Sequence, residues 1–333
     1  MLLQFSVKNF RSFQKEETLN LSAGKGSKLL DSNTFEFTQN QRLVRSAVIY
    51  GPNSGGKSNL IKALHFLQQF VLLSSTTFQE GQKIPLQPFR LTTTSTKEPS
   101  EFVIDFVCDQ IRFTYHLALT EERVITEELY AYPKKHRQTW FTRNWESSSG
   151  TYTWYQGPGF KGEHKAWEQM TRANALYLST AVQFNSEQLK PIFLWFRDQS
   201  VILLKANPIQ ETHFNPDRTQ RWFKALRDGL LLFVDELDLH LHPSIVKYLI
   251  ELFHNPKTNQ KNAQLVFTTH DTSLLDSDLF RRDQVWFIQK DETQSSHLYS
   301  LLDFKPIKGE SIGKGYLQGR YGALPFIGKF RFS

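Results

Sequence analysis

Leu3, Phe5 and Val7 alternate with Gln4, Ser6 and Lys8, so the chain opens on a strand with one apolar face. Asn9-Phe10-Arg11-Ser12-Phe13 ends it, and a Gly/Ser/Lys loop over 23–28 precedes a second short strand at 34–37. Residues 46–50 form an apolar run with the length of a buried strand. From 59 to 73, Leu60, Ala63, Leu64, Leu67 and Val71 repeat at the spacing of a helix with one buried face. Between 84 and 154 the pattern turns to strands, at 102–107, 111–119, 123–132 and 139–141. A Ser/Gly-rich loop is predicted over 146–162, and helices over 165–178 and 186–197. After Val201-Ile202-Leu203-Leu204 the chain is polar to Arg227. Apolar strands return at 230–234 and 264–269 around a helix at 243–253, and 284–289 with 297–302 patterns as a hairpin. The tail from 305 to 333 carries six Gly and six Lys or Arg against one acid, Glu310. No heptad or longer repeat interrupts this order, so no long coiled coil is expected.

Composition changes this picture little. At 333 residues the chain can bury a full core, as one large α/β domain or as a core with an inserted lobe. Cys108 is the single cysteine, so no internal disulfide forms. No run approaches the ~20 apolar residues of a membrane helix, and the first 13 residues lack a signal-peptide core. A cytoplasmic protein without a membrane partner is expected. The formal charge of +7 permits contact with nucleic acid without requiring it.

The chemistry sits at strand ends. Gly51-Pro52-Asn53-Ser54-Gly55-Gly56-Lys57-Ser58 matches G-x-x-x-x-G-K-[ST] at every position, between a strand and a helix. Glycines let backbone N–H groups close around an anion at a helix start. The match therefore predicts a nucleoside triphosphate, with Lys57 on its terminal phosphates and the Ser58 hydroxyl on Mg²⁺. The strand 230–234 ends in Asp235 and Glu236. Asp235 suits a Mg²⁺ ligand, and Glu236 a base that polarises water. The strand 264–269 ends at His270, whose imidazole can donate to a phosphate oxygen. The order implies a common site, because ligands of open α/β sheets collect at the carboxyl ends of strands.

The opening Asn9–Phe13 motif, the phosphate loop, Asp235-Glu236-Leu237-Asp238 with Leu241-His242-Pro243, and Thr268-Thr269-His270-Asp271 resemble the RecF/SMC-like ATPases of the ABC class. More narrowly, the chain resembles stand-alone AAA-type ATPases of bacterial abortive-infection and phage-defence loci, an ending at 314–326 included. The resemblance implies a P-loop NTPase head of the ABC class. Its mixed β-sheet is flanked by helices, with a nucleotide-binding core at 1–83 and 201–333 and an inserted β-rich and helical lobe at 84–200. It implies ATP and Mg²⁺ as cofactors, Asp235 as the metal residue, Glu236 as the catalytic base and His270 as the switch histidine. Arg11 of the opening motif joins the nucleotide-binding residues, and Asp238 falls in a loop that crosses a dimer interface in this class. The partners implied are a second copy joined through the nucleotide-binding heads, a protein from the same operon, and DNA or RNA.

One departure bears on activity. ABC-class heads clamp the γ-phosphate with a Ser-x-Gly signature lying a helix ahead of the acidic strand, and 201–228 contains neither Ser nor Gly. Asp217-Arg218-Thr219-Gln220-Arg221 occupies its place. Two readings follow: a Mg-dependent ATPase that drives a DNA-directed or phage-defence partner, or a nucleotide-dependent interaction module that turns ATP over poorly. Gln87, ahead of Pro88-Phe89-Arg90-Leu91, is a Gln-loop candidate by position alone, and a surface glutamine explains it better. Lys134-Lys135-His136-Arg137 with Trp140, Phe141, Arg143 and Trp145 could hold phosphates and stack on bases, although a solvated hairpin turn with core aromatics explains them better. Asp276-Ser277-Asp278 lies too close to His270 to found a separate nuclease domain.

Overall fold

The computed structural model describes residues 1–38, 41–134, 136–203, 216–239, 241–304 and 311–325. Lys135, Leu204, Glu310 and Phe326 lie outside the described residues. Along the chain the elements are β1 (Leu2–Lys8), β2 (Glu17–Asn20), α1 (Leu30–Asn33), β3 (Thr34–Thr38), β4 (Gln41–Val44), β5 (Ser46–Tyr50) and α2 (Lys57–Leu73). There follow β6 (Ser100–Cys108), β7 (Ile111–Leu119), β8 (Val124–Tyr132), β9 (Gln138–Glu146), β10 (Thr151–Gln156), α3 (His164–Met170), α4 (Tyr177–Gln183), α5 (Lys190–Leu194) and β11 (Ser200–Leu203). The remainder is α6 (Pro216–Asp228), β12 (Leu231–Val234), α7 (Pro243–His254), β13 (Gln264–Thr268), β14 (Val285–Lys290), β15 (Ser296–Ser300) and α8 (Ile312–Leu317). Two compact units divide the chain: 1–20 with 62–202, and 21–61 with 203–333.

The first unit is built on a seven-stranded antiparallel sheet in the order β10-β9-β8-β7-β6-β1-β2. Period-two alternation turns Phe102, Ile104 and Phe106 of β6 to the core, where all three are fully buried. The opposite face carries polar partners such as Asp105, which accepts from Arg112 at 2.6 Å. Within the core, Glu127 and Arg143 are both fully buried and lie 3.7 Å apart. Glu127 accepts from the backbone N–H groups of Tyr177 and Leu178 at 2.7 and 2.9 Å, so it caps the start of α4. Arg143 donates to the carbonyls of Ala175 and Arg172 and lies over the Tyr152 ring. Burial pushes the Glu127 carboxyl above its ordinary range, and Arg143 opposes that shift.

Several sequence expectations change here. Residues 146–162 are not one loop: β10 lies within them, because Tyr152 and Trp154 turn inward over Arg143 while Thr151, Thr153 and Tyr155 face out. The polar composition hid that alternation. The helix expected at 165–178 is two, α3 and α4, because the Ala173 carbonyl leaves the helix to accept from Val124 N–H. The helix expected from 186 begins at Lys190, with Pro191 in its first turn, and ends in a π-helical turn at Trp195–Gln199. The polar stretch before Arg227 contains α6, whose Trp222, Ala225 and Leu226 form a narrow buried stripe. In the basic patch, Trp140, Phe141 and Arg143 are core residues, and Arg137 stacks on Tyr130 at 3.7 Å. This is the hairpin-turn reading.

In the second unit the strands run β12-β13-β5-β14-β15, the first four parallel and β15 antiparallel. The unit is thus mixed α/β, with α7 packed on β13 and β5 through Val246, Ile250 and Phe253. Strands β5, β12 and β13 are buried along their whole length, as a covered parallel sheet requires. Tyr316 and Tyr321 stack on Phe287 at 5.5 and 5.6 Å, so the described part of the tail covers β14.

A buried polar cluster fixes the amino ends of β5 and β14. Ser46 Oγ pairs with His254 Nε2 at 2.7 Å, Gln284 donates to Ser46 Oγ at 2.9 Å, and Asn33 donates to Gln284 at 2.7 Å. Burial, with Arg45 adding to it, depresses the His254 imidazole to about 3. The unfolded chain protonates His254 below about 6.5 while the folded chain keeps it neutral to about 3, so folding loses stability as pH falls through that window. Urea denaturation at pH 7 and 5 should show a loss of about 2 kcal/mol from this group. In His254→Gln that part of the loss should disappear.

Candidate nucleotide-binding site

Register decides which groups can meet. β13 pairs in parallel with β12 on one side and β5 on the other: Val234 stands opposite Phe267, and Thr268 opposite Ile49. The strands therefore end level, and the residues just beyond them share one rim: Gly51 after β5, Asp235 and Glu236 after β12, Thr269 and His270 after β13. Neighbouring strands lie about 4.8 Å apart, so the three ends span roughly 10 Å.

The loop at Gly51–Ser58 is shaped by what stands behind it. A Cβ on Gly51 would meet the Ile288 carbonyl oxygen at 2.2 Å, and one on Gly55 the same atom at 3.0 Å. Gly56 has φ of +115°, a region open to glycine. The Ser296 hydroxyl donates to the Gly55 carbonyl at 2.6 Å. The β14–β15 hairpin is thus the mould of the loop, and the sequence motif alone does not disclose it. Asn53 and Ser54 are exposed at the tip, Pro52 and Ser58 are half-buried, and Lys57 opens α2. Lys57 is buried, and its ammonium donates to the Gly51 and Pro52 carbonyls at 2.8 and 3.1 Å. A cation is thereby held within its own loop, next to N–H groups at a helix start.

The acidic pair is organised by Thr268, a residue to which sequence reasoning gave no role. Its hydroxyl donates to Asp235 Oδ1 at 2.8 Å and accepts from the Glu236 N–H at 2.7 Å. The Leu237 N–H donates to the Thr268 carbonyl at 2.9 Å. Asp235 is buried, whereas Glu236 is half-buried with φ of +56°. A positive φ at a residue with a Cβ stores strain of order 1 kcal/mol or more, held here by three bonds to one threonine. That strain turns Glu236 out of strand geometry. The Thr-Thr-His-Asp run was the only signal pointing to Thr268.

His270 is exposed, and its backbone N–H donates to Asp238 Oδ2 at 3.3 Å, joining the loops after β12 and β13. Tyr50 closes the floor: its hydroxyl donates to the Asp271 carbonyl at 3.0 Å. Burial, followed by the nearby Asp271 and Asp238 charges, raises its phenol far above the usual range. Arg11 lies in the other compact unit. It has φ of +52°, its N–H donates to the Gln87 carbonyl at 2.7 Å, and burial lowers its guanidinium pKa. Gln87 is exposed and makes that contact through its backbone.

The donor set fits a magnesium-bound triphosphate: a glycine cradle that a Cβ would fill, a cation within it, and a buried carboxylate at the neighbouring strand end. Among the described residues, no group of three or more His, Cys, Asp or Glu could hold a metal without such a ligand, and no helix is long and apolar enough to cross a membrane. Thr268→Val keeps the volume but strands a buried carboxylate oxygen and an N–H. It should cost about 2–4 kcal/mol in urea denaturation, and Thr268→Ser should recover most of it.

No curated protein matches the chain. Among solved structures, the SMC head domain from Thermotoga maritima is similar at 13% identity and a TM-score of 0.37, over 90% of this chain and 98% of that one. The family model described as "AAA domain, putative AbiEii toxin, Type IV TA system" matches residues 46–165 and 221–276, which include the glycine loop, the acidic pair and His270. That is more than half of the chain, and the protein belongs to this AAA family.

Proposed function

We propose that this protein binds ATP with Mg²⁺ at the rim formed by β5, β12 and β13 and hydrolyses it, its nucleotide state acting on a partner in phage defence. The observation that carries the reading is the level ending of three parallel strands, which gathers the glycine loop, Asp235-Glu236 and His270. The family's description, with its AbiEii toxin and toxin–antitoxin terms, supports the defence setting.

The chain's own groups divide the work. Backbone N–H groups of the loop towards the start of α2 and the Lys57 ammonium hold phosphate oxygens, Lys57 trading its loop carbonyls for them. Ser58 and Asp235 would hold Mg²⁺, which when bound neutralises phosphate charge. Thr268 keeps Asp235 Oδ1 oriented. Glu236, turned outward by its positive φ, takes a proton from water, and His270 donates to a terminal phosphate oxygen. A second copy paired head to head is the arrangement this class of site implies. The core at 1–83 and 201–333 with an inserted lobe at 84–200 remains part of the proposal, as does a cytoplasmic location.

A second reading rests on its own observation. The helix ahead of β12 is α6, and the segment 201–228 that contains it has neither Ser nor Gly. Without a Ser-x-Gly donor, binding can persist while turnover falls, leaving a nucleotide-controlled interaction module.

Lys57→Ala should abolish binding of a fluorescent ATP analogue; undiminished affinity would remove the loop assignment. Glu236→Gln should leave that binding intact and slow phosphate release by about 100-fold or more. Phosphate release followed with and without DNA separates the two readings: none under either condition, from protein that binds the analogue, leaves the module.

A further inference from the structure

Away from the rim, α6 and α7 meet through Trp222 and Phe253, whose rings lie 5.7 Å apart. Beside that contact is a groove of about 880 Å³ lined by Arg221, Phe223, Lys224, Arg227 and Leu252, among others. Phe223 is 59% exposed, an unusual position for a phenylalanine in the middle of a helix. Along α7, Ile245 and Tyr248 are 41% and 59% exposed. With Leu252 they repeat at intervals of three and four, so one apolar stripe runs from the groove along the helix.

The charges in the groove have one sign. Arg227 is paired with Asp228 at 2.8 Å, and Arg221, Lys224 and Arg227 all line the groove. Glu251 is the acid nearest in sequence to the α7 stripe, and no acid lines the groove. A cationic groove on a chain of net charge +7 repels a second copy of itself and attracts an acidic segment. Bare phosphate backbone would use the cations but leave Phe223, Tyr248 and Leu252 wet. A peptide with carboxylates on one face and aliphatic side chains on the other satisfies both.

We propose that the α6–α7 groove docks an acidic, amphipathic segment of a partner protein. Arg221 and Lys224 meet its carboxylates, while Phe223 and the Ile245–Tyr248–Leu252 stripe meet its apolar face. None of these residues belongs to the rim, but Arg221 ends the segment in the signature's place, so the peptide measurements are made without nucleotide.

The test uses the full chain and fluorescence anisotropy, with a labelled peptide of about 15 residues carrying Leu and Glu at helical spacing. An all-Glu peptide and a single-stranded oligonucleotide of similar length serve as comparison probes. The Leu/Glu peptide should bind more tightly than the all-Glu peptide. Arg221→Glu with Lys224→Glu should weaken it by about 10-fold or more, and Phe223→Ser should remove its advantage over the all-Glu peptide. Because these side chains are exposed, the variants should keep the wild-type thermal melt, and Phe223→Ser should also keep ATP-analogue binding. Should the charge reversal disturb the melt, Arg221→Ala with Lys224→Ala gives the same comparison. Peptide affinity unmoved by these substitutions overturns the proposal. So does oligonucleotide binding that they abolish while the peptide fails to bind, or a dimer that Phe223→Ser converts to monomer.

Discussion

The level register of β12, β13 and β5 is the constraint on which the candidate site depends. A one-residue slip in a parallel pair would reverse every side chain of the slipped strand, turning Thr268 away from Asp235. At the opposite end Ser46, His254, Gln284 and Asn33 satisfy one another inside an apolar core and tie β5 to the start of β14, while Gln264 at the start of β13 donates to the Val44 carbonyl at 3.3 Å. A buried polar group without a partner costs more than its bond contributes, so this cluster tolerates one alignment. The chemistry at one rim is thus held by neutral hydrogen bonds at the other.

The same economy recurs within the site. One hydroxyl, that of Thr268, orients a buried carboxylate and restrains a strained glutamate backbone. One hairpin, β14–β15, supplies both the Ile288 carbonyl that excludes side chains from the glycine loop and the Ser296 hydroxyl that holds Gly55. In the antiparallel unit, Glu127 and Arg143 do comparable work: a buried charge pair tolerable only because both ends are also hydrogen-bonded. It caps α4 and anchors the 172–175 connection.

Much of the secondary structure was legible because its signals are local. A five-residue apolar run before a glycine octet can hardly be other than β5, and helical spacing after it marks α2. Legibility failed where tertiary partners override composition. β10 looks like a loop because Ser and Gly surround it and its threonines are polar, although threonines and aromatics alternate, and only Arg143 beneath Tyr152 shows which face is inside. The stretch at 165–178 keeps helical spacing across a break made by a backbone bond from Val124, which periodicity cannot register. Helix α6 escaped notice because its buried stripe is narrow and Phe223 lies outside it.

By itself, the sequence determined the class of chemistry: a phosphate-sized glycine loop, two carboxylates after a buried strand, and a histidine after another. Residue type and spacing suffice there, since anions need N–H groups and cations, and metals need carboxylates. Only tertiary structure decided that these segments end level. It also decided that Thr268, Ile288 and Ser296 belong to the site, and that β1 joins the antiparallel sheet through β6. The physical reason is that register and strand order are set by pairing between residues far apart in the chain. Side-chain periodicity shows which face of a strand is buried but not which neighbour it meets.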